Sequence, residues 1–122
     1  MENELLESTV LQSGTDGIIE LTADNFDRKI AEAGADRPVV VDFYAPWCGP
    51  CKRLAPVIEK FGAEHSDRVT VARINIDNAD ELTERFRIQS IPTVAVFRDG
   101  EITRRAVGVS TTRELEDIAF GG

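Results

Sequence analysis

The only two cysteines of the chain stand three positions apart in Trp47-Cys48-Gly49-Pro50-Cys51. Disulfide exchange needs a thiolate to attack and a second thiol close by to release the trapped partner, and this spacing supplies both. Zinc sites also use C-x-x-C, so the bare pair leaves metal binding open. A closed zinc site asks for four ligands, however, and beyond the two thiols the chain offers one histidine, His65, near the far end of the same predicted helix. His65 is therefore expected as a solvated helix-end residue, and no metal is expected.

The pair follows an apolar run, Val39-Val40-Val41-Asp42-Phe43-Tyr44, whose β-branched continuity predicts a strand covered on both faces. Cys48 then falls at the first turn of a helix predicted to continue toward Glu64, with Leu54, Ile58 and Phe61 at helical spacing and Pro56 inside it. Unpaired N–H groups and the dipole at a helix start favour negative charge, so Cys48 is the expected nucleophile. Cys51, one turn further in, is the expected resolving residue, closing Cys48–Cys51 as it expels the bound substrate. Gly49 lets a substrate backbone come close, and Pro50 stiffens the loop. Asp42 is out of place by composition, an acid in an apolar strand six positions before the nucleophile. Burial raises a carboxyl pKa toward neutrality, which makes Asp42 a candidate proton carrier; the plainer reading is a partner for Arg73.

Upstream, Ile18-Ile19-Glu20-Leu21 reads as a first strand, with Thr22 or Asp24 capping a helix that carries Phe26, Ile30 and Ala33 and ends at Gly34. Downstream come a third strand over residues 69–76, an Asp77-Asn78 turn and a short helix over residues 81–86. Strand and helix alternate to this point, which implies parallel pairing. Thr93 to Arg98 and Glu101 to Val107 then read as a hairpin across Asp99-Gly100, and Ser110 or Thr111 caps a last helix through Leu115 and Ile118.

These residues resemble the thioredoxin family with its Trp-Cys-Gly-Pro-Cys site. The resemblance runs from Ile18 to Phe120 and rests on Val41-Asp42-Phe43, on Trp47 through Lys52, on Pro56, on Ile91-Pro92-Thr93 and on Val107-Gly108-Val109. It implies an α/β thioredoxin fold: a five-stranded mixed sheet, central parallel strands plus a C-terminal antiparallel hairpin, flanked by four helices on both faces. It also implies a protein-disulfide reductase and electron carrier without a cofactor. Such a protein is recharged by thioredoxin reductase or another dithiol donor and acts on disulfide-containing proteins.

Several residue roles come with the resemblance. Asp42 would exchange a proton with the resolving thiol, with Arg73 and Lys52 in support, and the Gly49-Pro50 pair would set a reducing poise. The Ile91-Pro92 bond would be cis, and Trp47, Gly49, Pro50, Ile91, Pro92, Thr93, Val107, Gly108 and Val109 would meet the substrate. Arg73 departs from the lysine common at its position and is expected either to hold Asp42 ionised or to turn away from it. Tyr44 and Pro46, where tryptophan and an acid are frequent, are expected to change surface recognition rather than chemistry. The alternative from another functional class is a thioredoxin-fold binding module without turnover.

The bulk composition is consistent with this. At 122 residues, 42% apolar and 30% charged, the chain describes one soluble globular domain, and no segment approaches the ~20 apolar residues that cross a bilayer. A formal charge of -8 argues against nucleic acid as a partner. Three lysines among fourteen basic residues suit a salt-rich cytosol or an arginine-favouring genome. Residues 1–17 lack the basic start and apolar core of a secretory signal and read as an acidic tail, ahead of a domain over 18–122. A short helix over Leu5, Leu6, Val10 and Leu11 is the other reading of that tail. The expected compartment is the cytoplasm and the expected state a monomer.

Overall fold

A computed structural model describes residues 17–121, so the expected tail lies, but for Gly17, outside the described residues. The chain runs β1 (Ile18–Leu21), α1 (Phe26–Ala33), β2 (Val39–Tyr44), α2 (Gly49–Glu64), β3 (Thr70–Asn75), α3 (Asp80–Arg85), β4 (Thr93–Arg98), β5 (Glu101–Val107) and α4 (Thr112–Phe120). One sheet takes the order β1-β3-β2-β4-β5. β1 and β2 each pair β3 in parallel, whereas β2–β4 and β4–β5 are antiparallel. The helical crossovers supply the parallel pairs. The two-residue turn supplies the last antiparallel one, with Asp99 at φ 53° and Gly100 at φ 81° as a tight hairpin of this hand requires.

Side chains of β2 alternate between two cores. Val39, Val41 and Phe43 join Phe26 and Ile30 of α1 and Leu82 of α3. Val40 joins Leu54, Ile58 and Phe61 of α2 and Leu115 of α4. Coverage on both faces explains the unbroken apolar run, and Asp42 follows Val40 onto the α2 face, where it is fully buried. Each of Leu54, Ile58 and Phe61 is almost wholly buried, worth about 1.5–3 kcal/mol apiece, so α2 is fixed along its length with the cysteines at its mouth.

Some boundaries and caps differ from expectation. Asn25, not Thr22 or Asp24, is the N-cap of α1; Thr22 N–H donates to Asn25 Oδ1 at 2.8 Å and Asn25 N–H to Thr22 Oγ1 at 3.2 Å, closing the chain ahead of the helix. β3 stops at Asn75 because its Oδ1 accepts from Asp77 N–H at 3.0 Å and opens a 3-10 turn over Ile76–Asn78. Thr111 caps α4 in a capping box with Glu114. The N–H groups of Ser110 and Thr111 hold the Glu114 carboxyl below its usual range. His65 is only partly exposed: its ring packs against Phe61 and Phe120, at 4.8 and 5.1 Å between centroids, and Nε2 lies 3.2 Å from Glu116 Oε2. It ties the end of α2 to α4, away from the cysteines.

Candidate active site

The chain leaves β2 at Tyr44, passes through buried Ala45 and exposed Pro46 and Trp47, and enters α2 at Cys48. Cys48 is the N-cap itself, one position before the first turn, with extended backbone at φ -89° and ψ 116°. Its Sγ accepts a hydrogen bond from Cys51 N–H at 3.2 Å, standing where a Ser or Asp oxygen ordinarily caps a helix. Pro50 occupies an early helical position, where a missing N–H costs nothing. The two cysteines form a disulfide with Cα atoms 5.2 Å apart. On reduction, the same N–H and the positive helix end favour a thiolate on Cys48. Cys48 is 6% exposed and Cys51 1%, so Cys48 is the outer of the two residues and Cys51 the inner. Tyr44, Ile76 and Ile91 pack around the pair.

Asp42 lies buried on the same strand as Tyr44, two residues before it and on the same face. Its Oδ2 accepts from Arg73 Nε at 3.3 Å, while Oδ1 has no partner among the described residues. Burial pushes the carboxyl up to about 6, against the charge and hydrogen bond of Arg73, with a smaller upward push from the Glu20 charge. Desolvation therefore outweighs the arginine, which does not hold Asp42 firmly ionised. Nor does Arg73 turn away or grip with two donors, because its guanidinium lies over the Tyr44 ring, Cζ 3.8 Å from the centroid. The Tyr44 hydroxyl donates to Glu20 Oε2 at 2.9 Å, and burial together with that bond pushes the hydroxyl up to about 12. Tyr44, expected as a surface-recognition residue, is half-buried between the cysteine layer and Arg73.

The Ile91–Pro92 bond is cis, Ile91 packs on the cysteine pair, and Pro92 O accepts from Gly108 N–H at 3.0 Å. Trp47 and Val107 are large apolar side chains left exposed, 67% and 61%, and Gly49 and Pro50 are exposed in the first turn of α2. A Cβ on Gly49 would meet only Arg53 Nη1, at 3.7 Å, so its bare side faces outward.

Three expected contact residues are buried: Pro92, Thr93 and Val109. Val109 joins the core with Leu115, because Gly108 at φ 78° breaks the strand alternation that would have left it beside Val107. Thr93 is buried, and its Oγ1 donates to Ser90 O at 2.6 Å. Lys52 is exposed, and it meets the site through its backbone N–H, which donates to Cys48 O at 3.0 Å. Sequence reasoning missed Glu20 and Asp77. The Asp77 carboxylate accepts from Trp47 Nε1 at 3.1 and 3.2 Å, although in sequence it reads only as part of a turn.

The thioredoxin family model matches residues 17–119. The thioredoxin of Alicyclobacillus acidocaldarius is 45% identical over 96 residues, 79% of this chain and 89% of the relative. That of Mycolicibacterium smegmatis is 44% identical over 105 residues, 81% and 92% of the two chains. That of Mycobacterium tuberculosis is 42% identical over 88 residues, 69% and 76%. Matched along nearly all of its described length and carrying a disulfide-forming pair at a helix mouth, the chain belongs to the thioredoxin family of dithiol-disulfide oxidoreductases.

Proposed function

We propose that the protein reduces disulfides in other proteins with Cys48 as nucleophile and Cys51 as resolving thiol, and that thioredoxin reductase or another dithiol donor recharges it. One contact carries the assignment of roles: the Cys51 N–H on Cys48 Sγ at the N-cap favours charge on the outer sulfur. The Cys48 thiolate attacks one substrate sulfur; the substrate S–S bond breaks, its other sulfur leaves as a thiolate, and a mixed disulfide forms. Cys51 then gives its proton to Asp42, and its thiolate attacks Cys48 Sγ. The mixed disulfide breaks, Cys48–Cys51 forms, and the second substrate sulfur departs as a thiolate. Two electrons pass from the dithiol to the substrate, and a dithiol donor runs the same steps in reverse.

A carboxyl titrating at about 6, with one oxygen unpartnered among the described residues, suits Asp42 to that proton transfer. An extended substrate segment would lie along the Ile91 backbone between Trp47 and Val107, with Gly49 allowing close approach. The reading extends to a monomeric, cytoplasmic carrier whose catalytic domain is residues 18–122, in keeping with the reducing type of Gly-Pro pair. The charge of -8 disfavours nucleic acid, and no helix among the described residues is long and apolar enough to cross a membrane. Cys48→Ser should abolish reduction of a protein disulfide, and Cys51→Ser should accumulate the mixed disulfide as a mass adduct. Turnover persisting in Cys48→Ser would refute the assignment.

A further inference from the structure

We infer that Tyr44 and Glu20 are positioning residues that hold Arg73 in a single-donor grip on Asp42, and so keep Asp42 able both to take up and to release the resolving thiol's proton. The inference rests on the proton role proposed above for Asp42.

Arg73 on β3 lies directly across from Glu20 on β1 and from Asp42 on β2, so its guanidinium stands between two carboxylates on one face of the sheet. Either carboxylate could take it in a two-donor fork. Neither does. The Glu20 carboxylate accepts the Tyr44 hydroxyl, and Tyr44, two residues beyond Asp42 and on the same face, spans from β2 to β1 with its ring against the guanidinium. The ring attracts the cation and fixes its plane, leaving Nε to reach Oδ2 at 3.3 Å. A forked arginine would lock Asp42 as an anion, and a departed one would leave it too readily protonated to act as a base; the clamp holds it between these limits.

The groups that face Asp42 are few. They are Arg73 from β3, Glu20 from β1 and Tyr44 from β2 itself; β4 places apolar Val94 opposite, and α2 brings Cys51 as its one buried titratable group. With Cys51 held in the disulfide, the clamp acts on Asp42 mainly through Arg73, beside the smaller direct push of the Glu20 charge.

The test follows the Asp42 carboxyl by 13C NMR on the full chain in its disulfide form, and separately follows the pH profile of mixed-disulfide resolution. In Tyr44→Leu the guanidinium is freed toward Glu20, and the Asp42 midpoint should rise by about one unit, the low end of what a lost adjacent cation causes. Tyr44→Phe, which keeps the ring and the packing, should shift it less and in the same direction. In an Arg73→Leu background either substitution should move it far less, by no more than the small direct effect of Glu20. No shift with Arg73 present, or an equal shift without it, overturns the clamp. A midpoint that moves without a matching move in the resolution profile supports the clamp and overturns the proton role of Asp42 instead.

Discussion

Arg73 lies across from Asp42 on the neighbouring strand yet gives it a single hydrogen bond, Nε to Oδ2 at 3.3 Å. One donor does not repay complete burial, which is why the carboxyl stands at about 6 rather than at its ordinary 3.8. Between those values the folded chain holds more proton at this site than the unfolded chain does. Stability at this site is therefore full below about pH 4 and is lost as pH rises toward 6.

Asp42→Asn should accordingly be more stable than the wild-type chain at pH 7, by up to about 3 kcal/mol at 1.36 kcal/mol per pKa unit. Denaturant unfolding across pH checks this: the advantage should close below about pH 4. An Asn variant no more stable at neutral pH would mean that Asp42 is not held against its charge.

The same substitution should be costly for turnover. Loss of a positioned general base slows its step by ~100-fold or more, so resolution of a preformed mixed disulfide should fall by about that much at neutral pH. An unchanged single-turnover rate would remove Asp42 from the mechanism.

Gly49→Ala separates docking from folding. The added methyl meets only Arg53 Nη1 at 3.7 Å, so stability should stay within about 0.5 kcal/mol, while KM for a protein disulfide rises several-fold. Reduction of a small-molecule disulfide should hardly change. Gly108→Ala behaves oppositely: at φ 78° it should cost ~1 kcal/mol in unfolding free energy whatever the substrate. Equal effects on large and small substrates at Gly49 would rule out its docking role.

Trp47 is the sole tryptophan, so its fluorescence reports on the Asp77 bond directly. Asp77→Ala should lower the indole's anisotropy and weaken protein-substrate docking about fivefold, the equivalent of ~1 kcal/mol for one hydrogen bond. Unaltered anisotropy would show that packing alone fixes the ring.

Features written in local pattern were legible in the sequence. The apolar run of β2, the Asp99-Gly100 turn, the Thr111 cap and the spacing of Cys48 and Cys51 each depend on residues a few positions apart, and the structure carries them all. What was hidden depends on pairing across distance. Tyr44 meets Glu20 over 24 positions and Trp47 meets Asp77 over 30, and neither partner differs in type from a solvated acid. His65 likewise finds Glu116 only once α4 is docked on α2. Val109 reads as a continuation of Val107 until the left-handed turn at Gly108 reverses its direction. Arg73 was legible as a neighbour of Asp42, but the ring that limits it to one donor was not.

The central claim is that the helix mouth ionises the outer sulfur while the inner one keeps its proton. The direct measurement is ultraviolet thiolate absorbance of the reduced chain against pH, repeated with Cys51→Ser to isolate Cys48. The Cys48 thiol should ionise well below the ~8.5 of an unperturbed cysteine, with Cys51 above it. A Cys48 midpoint at or above that ordinary value would contradict the mechanism.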